Sequence, residues 1–256
     1  MSDVLNSGPG AFSRQKKKIL LVVDNDPAQL YATGILLQRL DYNIYTAKTA
    51  EEALEIMGIT VPSLMVTEAA LPGMSGPVLL RQIKGDPTTR SVQVIVLTSS
   101  PNPVLKEDCV REGCAAYLRK PVDPNALFAA IQKTTEATPR SYVRLKISLP
   151  VLRGDGSPAV GSLSGDRITA LSENGMYIST DDPQKAGTSL TFTIILETIQ
   201  INVIGTVLYT FDKGKGPLRT AGMGIKFVQI KPEDQGLIRD FIKRELTQDL
   251  SPGKKE

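Results

Sequence analysis

From Ile19 to Glu136 the chain repeats one pattern five times: a short apolar run rich in β-branched residues, then a stretch with helical spacing. "ILLVV" is followed by "PAQLYATGILLQRL", "NIYTA" by "AEEALEIMG", "SLMVT" by "GPVLLRQIK", "VQVIVLT" by "VLKEDCVREG", and "AAYLRK" by "NALFAAIQKTTE". Strands joined through helices run parallel, and the crossovers cover both faces of the sheet. The pattern therefore predicts a doubly wound α/β domain on a five-stranded parallel sheet. Start signals agree with this parse. Asp26-Pro27 caps and opens the first helix, Thr49 with Glu52 has the form of a capping box, and Asp123-Pro124 opens the fifth helix. Sheets of this kind place their sites beyond the carboxyl ends of the strands, where this sequence carries Asp24, Glu68, Thr98 and Lys120.

The alternation stops at "KTTEATPRSY" (residues 133–142), a run of small polar residues with a proline. After it come β-rich segments with no helix between them, "YVRLKISLPVLR", "RITALSENGMYIST", "SLTFTIILETIQINVIGTVLYT" and "TAGMGIKFVQI", separated by Gly, Asp, Asn and Pro turns. Their spacing predicts an antiparallel β-barrel in preference to a sandwich. "PEDQGLIRDFIKRELTQDL" then places apolar residues at 237, 238, 241, 242 and 246, a helical stripe for packing on the barrel. The expected organisation is a flexible tail at 1–15, an α/β domain at 16–135, a linker at 136–144, a barrel with its C-terminal helix at 145–250, and a short tail at 251–256.

Composition narrows the chemistry. The chain of 256 residues has no histidine and two cysteines, Cys109 and Cys114, so histidine-containing or four-thiolate metal sites and Ser-His or Cys-His catalysis are excluded. A formal charge of +3 with no long basic block argues against nucleic acid as the main partner, and the barrel half has no helix-turn-helix pattern. The first residues lack the apolar core of a signal peptide and no window reaches the length of a membrane span, so a cytoplasmic protein without a membrane anchor is expected.

The rim residues, with "VVDND" ending the first strand and "RKP" the fifth, make residues 17–135 resemble the receiver domain of two-component response regulators. The resemblance extends to Thr98 in "VIVLTSS" and Tyr117 in "AYLRKP". It implies an acidic pair that holds magnesium, a third-strand aspartate that accepts a phosphoryl group, and a threonine and a lysine that contact that group. Here the acceptor position holds Glu68, the second member of the acidic pair is Asn25, and Ala70 stands two residues past the acceptor. An amide lacks the charge that a magnesium ligand supplies, and a longer carboxylate is displaced from the in-line geometry of phosphoryl transfer. A pseudo-receiver that is not phosphorylated is expected, with Asp24, Asn25, Glu68, Thr98 and Lys120 as its altered site. Two readings of Glu68 remain open: it imitates the phosphorylated state, or it only neutralises Lys120. Domains of this kind serve as docking or dimerising surfaces through the fourth helix, fifth strand and fifth helix, here residues 103–135.

The β-rich half resembles a PilZ domain, the bacterial receptor module for cyclic di-GMP, over residues 138–246. The family's R-x-x-x-R signature is present as Arg140 and Arg144 in "PRSYVR"; its Asp/Asn-x-Ser-x-x-Gly signature keeps Ser172 and Gly175 but has Ala170 in the first position. The resemblance implies cyclic di-GMP bound by Arg140, Arg144, Ser172 and Gly175. Guanidinium groups pair with phosphates and stack on guanine, while loss of the first-position side chain weakens the hold on the base. The chain as a whole is expected to be a non-enzymatic regulator that binds cyclic di-GMP and controls a protein partner in motility, secretion or exopolysaccharide output. The alternative is a ligand-independent adaptor whose two domains are both docking surfaces.

Overall fold

The computed structural model describes residues 18–154, 165–213, 215 and 221–250. The expected tails at 1–15 and 251–256 lie outside the described residues. The described residues fall into two compact units, 18–143 with 245–250, and those between 144 and 244.

In the first unit, β1 (Ile19–Val23), β2 (Asn43–Ala47), β3 (Leu64–Thr67), β4 (Gln93–Thr98) and β5 (Ala116–Arg119) form a parallel sheet in the order β2-β1-β3-β4-β5. Helices α1 (Pro27–Arg39), α2 (Ala50–Ile59), α3 (Gly76–Gly85), α4 (Pro103–Arg111) and α5 (Pro124–Thr135) make the crossovers. The central strands read as unbroken apolar runs because both their faces are covered: all four residues of β3 are buried, as are Leu20 to Val23 of β1. The edge strand β2 keeps only Ala47 buried. Chain order reverses at β1, whose two neighbours β2 and β3 are both later in sequence, so the loops after β1 and β3 open a crevice between them.

The caps fall where expected, with one correction. Asp26 accepts from the amides of Ala28 and Gln29, and Asp123 from those of Asn125 and Ala126. Thr49 caps α2 through the Glu52 amide at 3.1 Å, but Glu52 reaches back to the Lys48 amide at 2.7 Å, one residue before the cap, instead of closing the box on Thr49. Cys109 is fully buried, and burial, with the neighbouring Cys114 adding to it, pushes its thiol up to about 12, which keeps it protonated and unreactive.

The second unit is a closed barrel of β6 (Leu145–Arg153), β7 (Arg167–Ser172), β8 (Gly175–Ser179), β9 (Ser189–Leu196), β10 (Ile199–Phe211) and β11 (Gly222–Gln229), in the circular order β10-β11-β8-β7-β6-β9, with α6 (Pro232–Thr247) after it. Every pairing is antiparallel. Closure removes free edges, and inward side chains such as Leu171, Ile178, Phe192, Ile194, Val203 and Met223 fill the interior. In α6 the stripe of Ile238, Phe241, Ile242 and Leu246 is buried, whereas Leu237 is 38 % exposed and falls outside it, about 40° beyond Phe241 at the stripe's edge. The helix is tied to the barrel's turns by Gln235, which donates to Asn174, and by Arg239 and Arg244, which pair with Glu173 and Glu197.

Candidate functional site

At the carboxyl rim of the parallel sheet, Asp24 follows β1, Glu68 follows β3, Thr98 ends β4 and Lys120 follows β5. The four side chains meet. The Lys120 ammonium donates to Asp24 and, at 2.9 Å, to Glu68, and all three side chains are at most 7 % exposed. Glu68 also accepts from the Thr98 hydroxyl, from the Ala69 amide at 2.8 Å, the Ala70 amide at 3.1 Å and the Ser99 amide at 3.2 Å. Each carboxylate oxygen is thus held by more than one donor, and loops from three strands converge on one side chain.

The electrostatics follow from that geometry. Burial works to raise the Glu68 pKa, but hydrogen bonds from Thr98, Lys120 and Ala70 outweigh it and hold the carboxyl below the usual carboxylate range. Burial likewise works against the Lys120 charge, yet its hydrogen bonds to Asp24 and Glu68 raise its pKa above the ordinary lysine value. Asp24 also accepts from the Asp26 amide at 3.0 Å, while the Asp26 side chain is committed to the α1 cap. Asn25 is exposed and lines, with Gln29, Ala70, Ser99 and Ser100, a cleft of about 350 Å³ above these groups. Among the described residues no three acidic, cysteine or histidine side chains gather closely enough to hold a metal ion.

On the barrel, Ser172 ends β7 and Gly175 begins β8, across a tight turn in which the Ser172 hydroxyl donates to the Gly175 carbonyl at 2.9 Å. A side chain at Gly175 would place its Cβ 2.4 Å from the Ile225 carbonyl oxygen, so β11 approaches where only glycine fits. The two retained residues of the second signature therefore each have a local structural role. Ala170 is partly buried and lies opposite Lys146 on one side and Tyr177 on the other. Arg140 and Arg144 are both exposed, and among the described residues neither guanidinium makes a hydrogen bond or ion pair. The Arg140 backbone is anchored: its amide donates to Gln132 at 3.1 Å, and Gln132 is buried in α5 and donates to the Tyr42 hydroxyl.

A model of the response regulator receiver domain matches residues 20–132, and a model of the PilZ domain matches residues 137–244. The chain carries a receiver domain and a PilZ domain. Its receiver and PilZ domains are signalling and binding modules. Among curated proteins it is 29 % identical over 168 residues to the response regulator PleD of Caulobacter vibrioides, covering 65 % of this chain and 35 % of PleD. It is 31 % identical over 120 residues to an uncharacterised 14.6 kDa protein of Leptolyngbya boryana, covering 47 % of this chain and 92 % of that protein. Among solved structures, the signal receiver domain of an HD domain-containing protein from Pseudomonas fluorescens Pf-5 is 31 % identical and covers 46 % of this chain and 94 % of that one, with a TM-score of 0.44. The chain spans about a third of the length of PleD.

Sequence patterns pointed to the side chains at the receiver rim but not to the amides of Ala69, Ala70 and Ser99 that complete the hold on Glu68, because backbone donors carry no residue signature. They also missed a cluster in the PilZ domain. Arg153, at the end of β6, donates to Asp166 at 2.8 Å, to Asp182 at 3.0 Å, to the Thr180 hydroxyl at 2.8 Å and to the Asp182 carbonyl at 2.7 Å. These partners are far apart in sequence, and barrel closure alone makes them neighbours.

Proposed function

We propose that the protein is a signalling regulator whose input is cyclic di-GMP, taken by Arg140, Arg144, Ser172 and Gly175, and whose receiver works without phosphorylation. The observation that carries this reading is the pair of exposed guanidiniums, without a hydrogen bond or ion pair among the described residues, where the chain enters β6. An arginine with no carboxylate partner keeps its donor fork for a phosphate, and two of them four residues apart suit a ligand with two phosphodiesters.

The receiver supports the second part. Its fold implies a magnesium ion, and the residues present do not fit one: Asn25 is neutral, Asp26 is spent on a helix cap, and Asp24 and Glu68 share the Lys120 ammonium at the place where a cation would enter. Of the two roles open to Glu68, the arrangement favours more than charge neutralisation, because Thr98 and the Ser99 amide are drawn onto the carboxylate as they would be onto an anion bound there. The domain then offers a fixed surface. The α4–β5–α5 face at residues 103–135, with Val104 58 % and Val110 56 % exposed, is its docking or dimerising side, and the output is control of a protein partner in the cytoplasm, in motility, secretion or exopolysaccharide production. No helix among the described residues is long and apolar enough to cross a membrane.

A second reading, the ligand-independent adaptor, is favoured by one observation: Ala170 offers the ligand no hydrogen bond, while Ser172 is accounted for by its turn and Gly175 by the close approach of β11. Calorimetry decides between them. Cyclic di-GMP is expected to bind the wild type and to lose at least about tenfold in affinity, the effect of one charge-assisted hydrogen bond, in Arg144→Ala. A titration of folded wild type without heat at several temperatures selects the adaptor. Incubation with acetyl phosphate and magnesium is expected to leave the intact mass unchanged; a phosphorylated species that disappears in Glu68→Ala refutes the receiver part of the proposal.

A further inference from the structure

We infer that Lys226 is a third cation of the cyclic di-GMP surface, a ligand-binding residue outside both sequence signatures. The inference rests on the ligand reading above and names a residue that only the barrel register brings to the site.

Ser172 is the cross-strand partner of Gly175, and Gly175 is the partner of Lys226. On the other side Leu145 pairs with Leu171, so continuing that register by one residue sets Arg144 level with Ser172. Directly opposed residues point to the same face of a sheet. Arg144, just before β6, therefore falls in one row with Ser172 of β7, Gly175 of β8 and Lys226 of β11, strands that are adjacent in the barrel. The row lies on the outward side of the barrel: the residues that alternate with it, Leu145, Leu171, Met176, Ile225 and Phe227, are buried in the interior, while Arg144 and Lys226 at its ends are exposed, Ser172 is partly buried, and Gly175 is covered by the close approach of β11.

Three strand spacings separate the two cations, about 14 Å between their backbones. Between them stand only a short hydroxyl side chain and a glycine, so the row is a low floor with a long positive side chain at each end; Lys146, Ala170 and Tyr177 follow two residues along on the same face. Neighbouring groups leave Lys226 uncommitted. Among the described residues its ammonium has no hydrogen bond or ion pair; Glu173 in the adjoining turn is paired with Arg239 at 3.6 Å; and its partner on β10, Thr206, lies 3.3 Å from the Ser189 hydroxyl. A floor of this form fits a phosphodiester anion lying between a guanidinium and an ammonium. Lys226 also compensates in part for Ala170 by contributing charge where the signature has lost a hydrogen-bonding side chain.

The test is calorimetric titration of the full chain with cyclic di-GMP at low and moderate salt, for wild type, Lys226→Ala, Lys226→Arg and Arg144→Ala, each checked by a thermal melt. Because Lys226 is exposed, its variants are expected to melt with the wild type. Lys226→Ala is expected to raise Kd about tenfold and to make binding less sensitive to salt, and Lys226→Arg to restore most of the affinity. An unchanged Kd in Lys226→Ala, with binding lost in Arg144→Ala, overturns this inference and leaves the ligand reading standing. No heat from the wild type removes both.

Discussion

Replacing Glu68 with alanine is expected to lower the stability of the receiver by about 3 kcal/mol, the low end of the cost of breaking a buried ion pair. The low end applies because Lys120 keeps Asp24 as a partner, so its charge is not left bare. The cost arises from the other donors: the Thr98 hydroxyl and the amides of Ala69, Ala70 and Ser99 lose the acceptor that holds three loops together. Hydrogen exchange is expected to rise first in residues 68–76 and 98–103, with the PilZ domain unaffected, and the receiver's melting temperature to fall by about 10 °C. Glu68→Gln, which keeps the volume and one acceptor oxygen, is expected to lose less. A variant with alanine that melts with the wild type would mean that the carboxylate holds nothing.

The pH dependence has a definite sign. Glu68 has its folded pKa depressed, so its contribution is present above the unfolded carboxyl value near pH 4.3 and is lost as the pH falls through the lower folded value. Lys120 has its folded pKa raised, so its contribution is present below the unfolded lysine value of about 10.4 and is lost as the pH rises through the higher folded value. As far as this pair is concerned, receiver stability is flat between about pH 5 and 10. Acid melts of Glu68→Ala are expected to show a shallower decline than the wild type below that window.

Arg153→Ala is expected to destabilise the PilZ domain by about 3 kcal/mol, again from a buried carboxylate that loses its cation. The Asp166 side chain is 4 % exposed, and Arg153, itself 24 % exposed, joins it to Asp182 and Thr180, which lie beyond β8. One guanidinium therefore ties the end of β6 to the start of β7 and the end of β8. Lysine cannot make the same contacts, because an ammonium on a flexible stem lacks the planar fork that reaches three partners, so Arg153→Lys is expected to recover only part of the loss. The measurement is hydrogen exchange across β6, β7 and β8 with a parallel melt. Protection equal to wild type in Arg153→Ala would show that barrel closure does not depend on the cluster.

Lys226 and Glu68 show how differently the two halves could be read from sequence. Glu68 was visible because the end of a parallel strand is marked by the change from an apolar run to a turn, and each rim residue sits at such a mark. Lys226 is one lysine in "GIKFVQ", with nothing local to separate it from any other outward position on a strand. Its neighbours across the sheet, Gly175 and through it Ser172, lie some fifty residues away in the chain and are set by register.

The sequence by itself determined the element types, the order of strands and helices in the first half, the change to an antiparallel barrel in the second, and the residue identities that depart from each family's signature. Periodicity, caps and turn residues are local properties, and they act within a few residues of chain. Only the tertiary structure decided that Glu68 is held by Thr98, Lys120 and three backbone amides, that Gly175 lies where β11 comes too close for a side chain, that Arg153 joins three strand ends, and that Leu237 falls outside the buried stripe of α6. Those facts depend on sheet order, register and side-chain reach between segments far apart in the chain, and no local pattern encodes such distances.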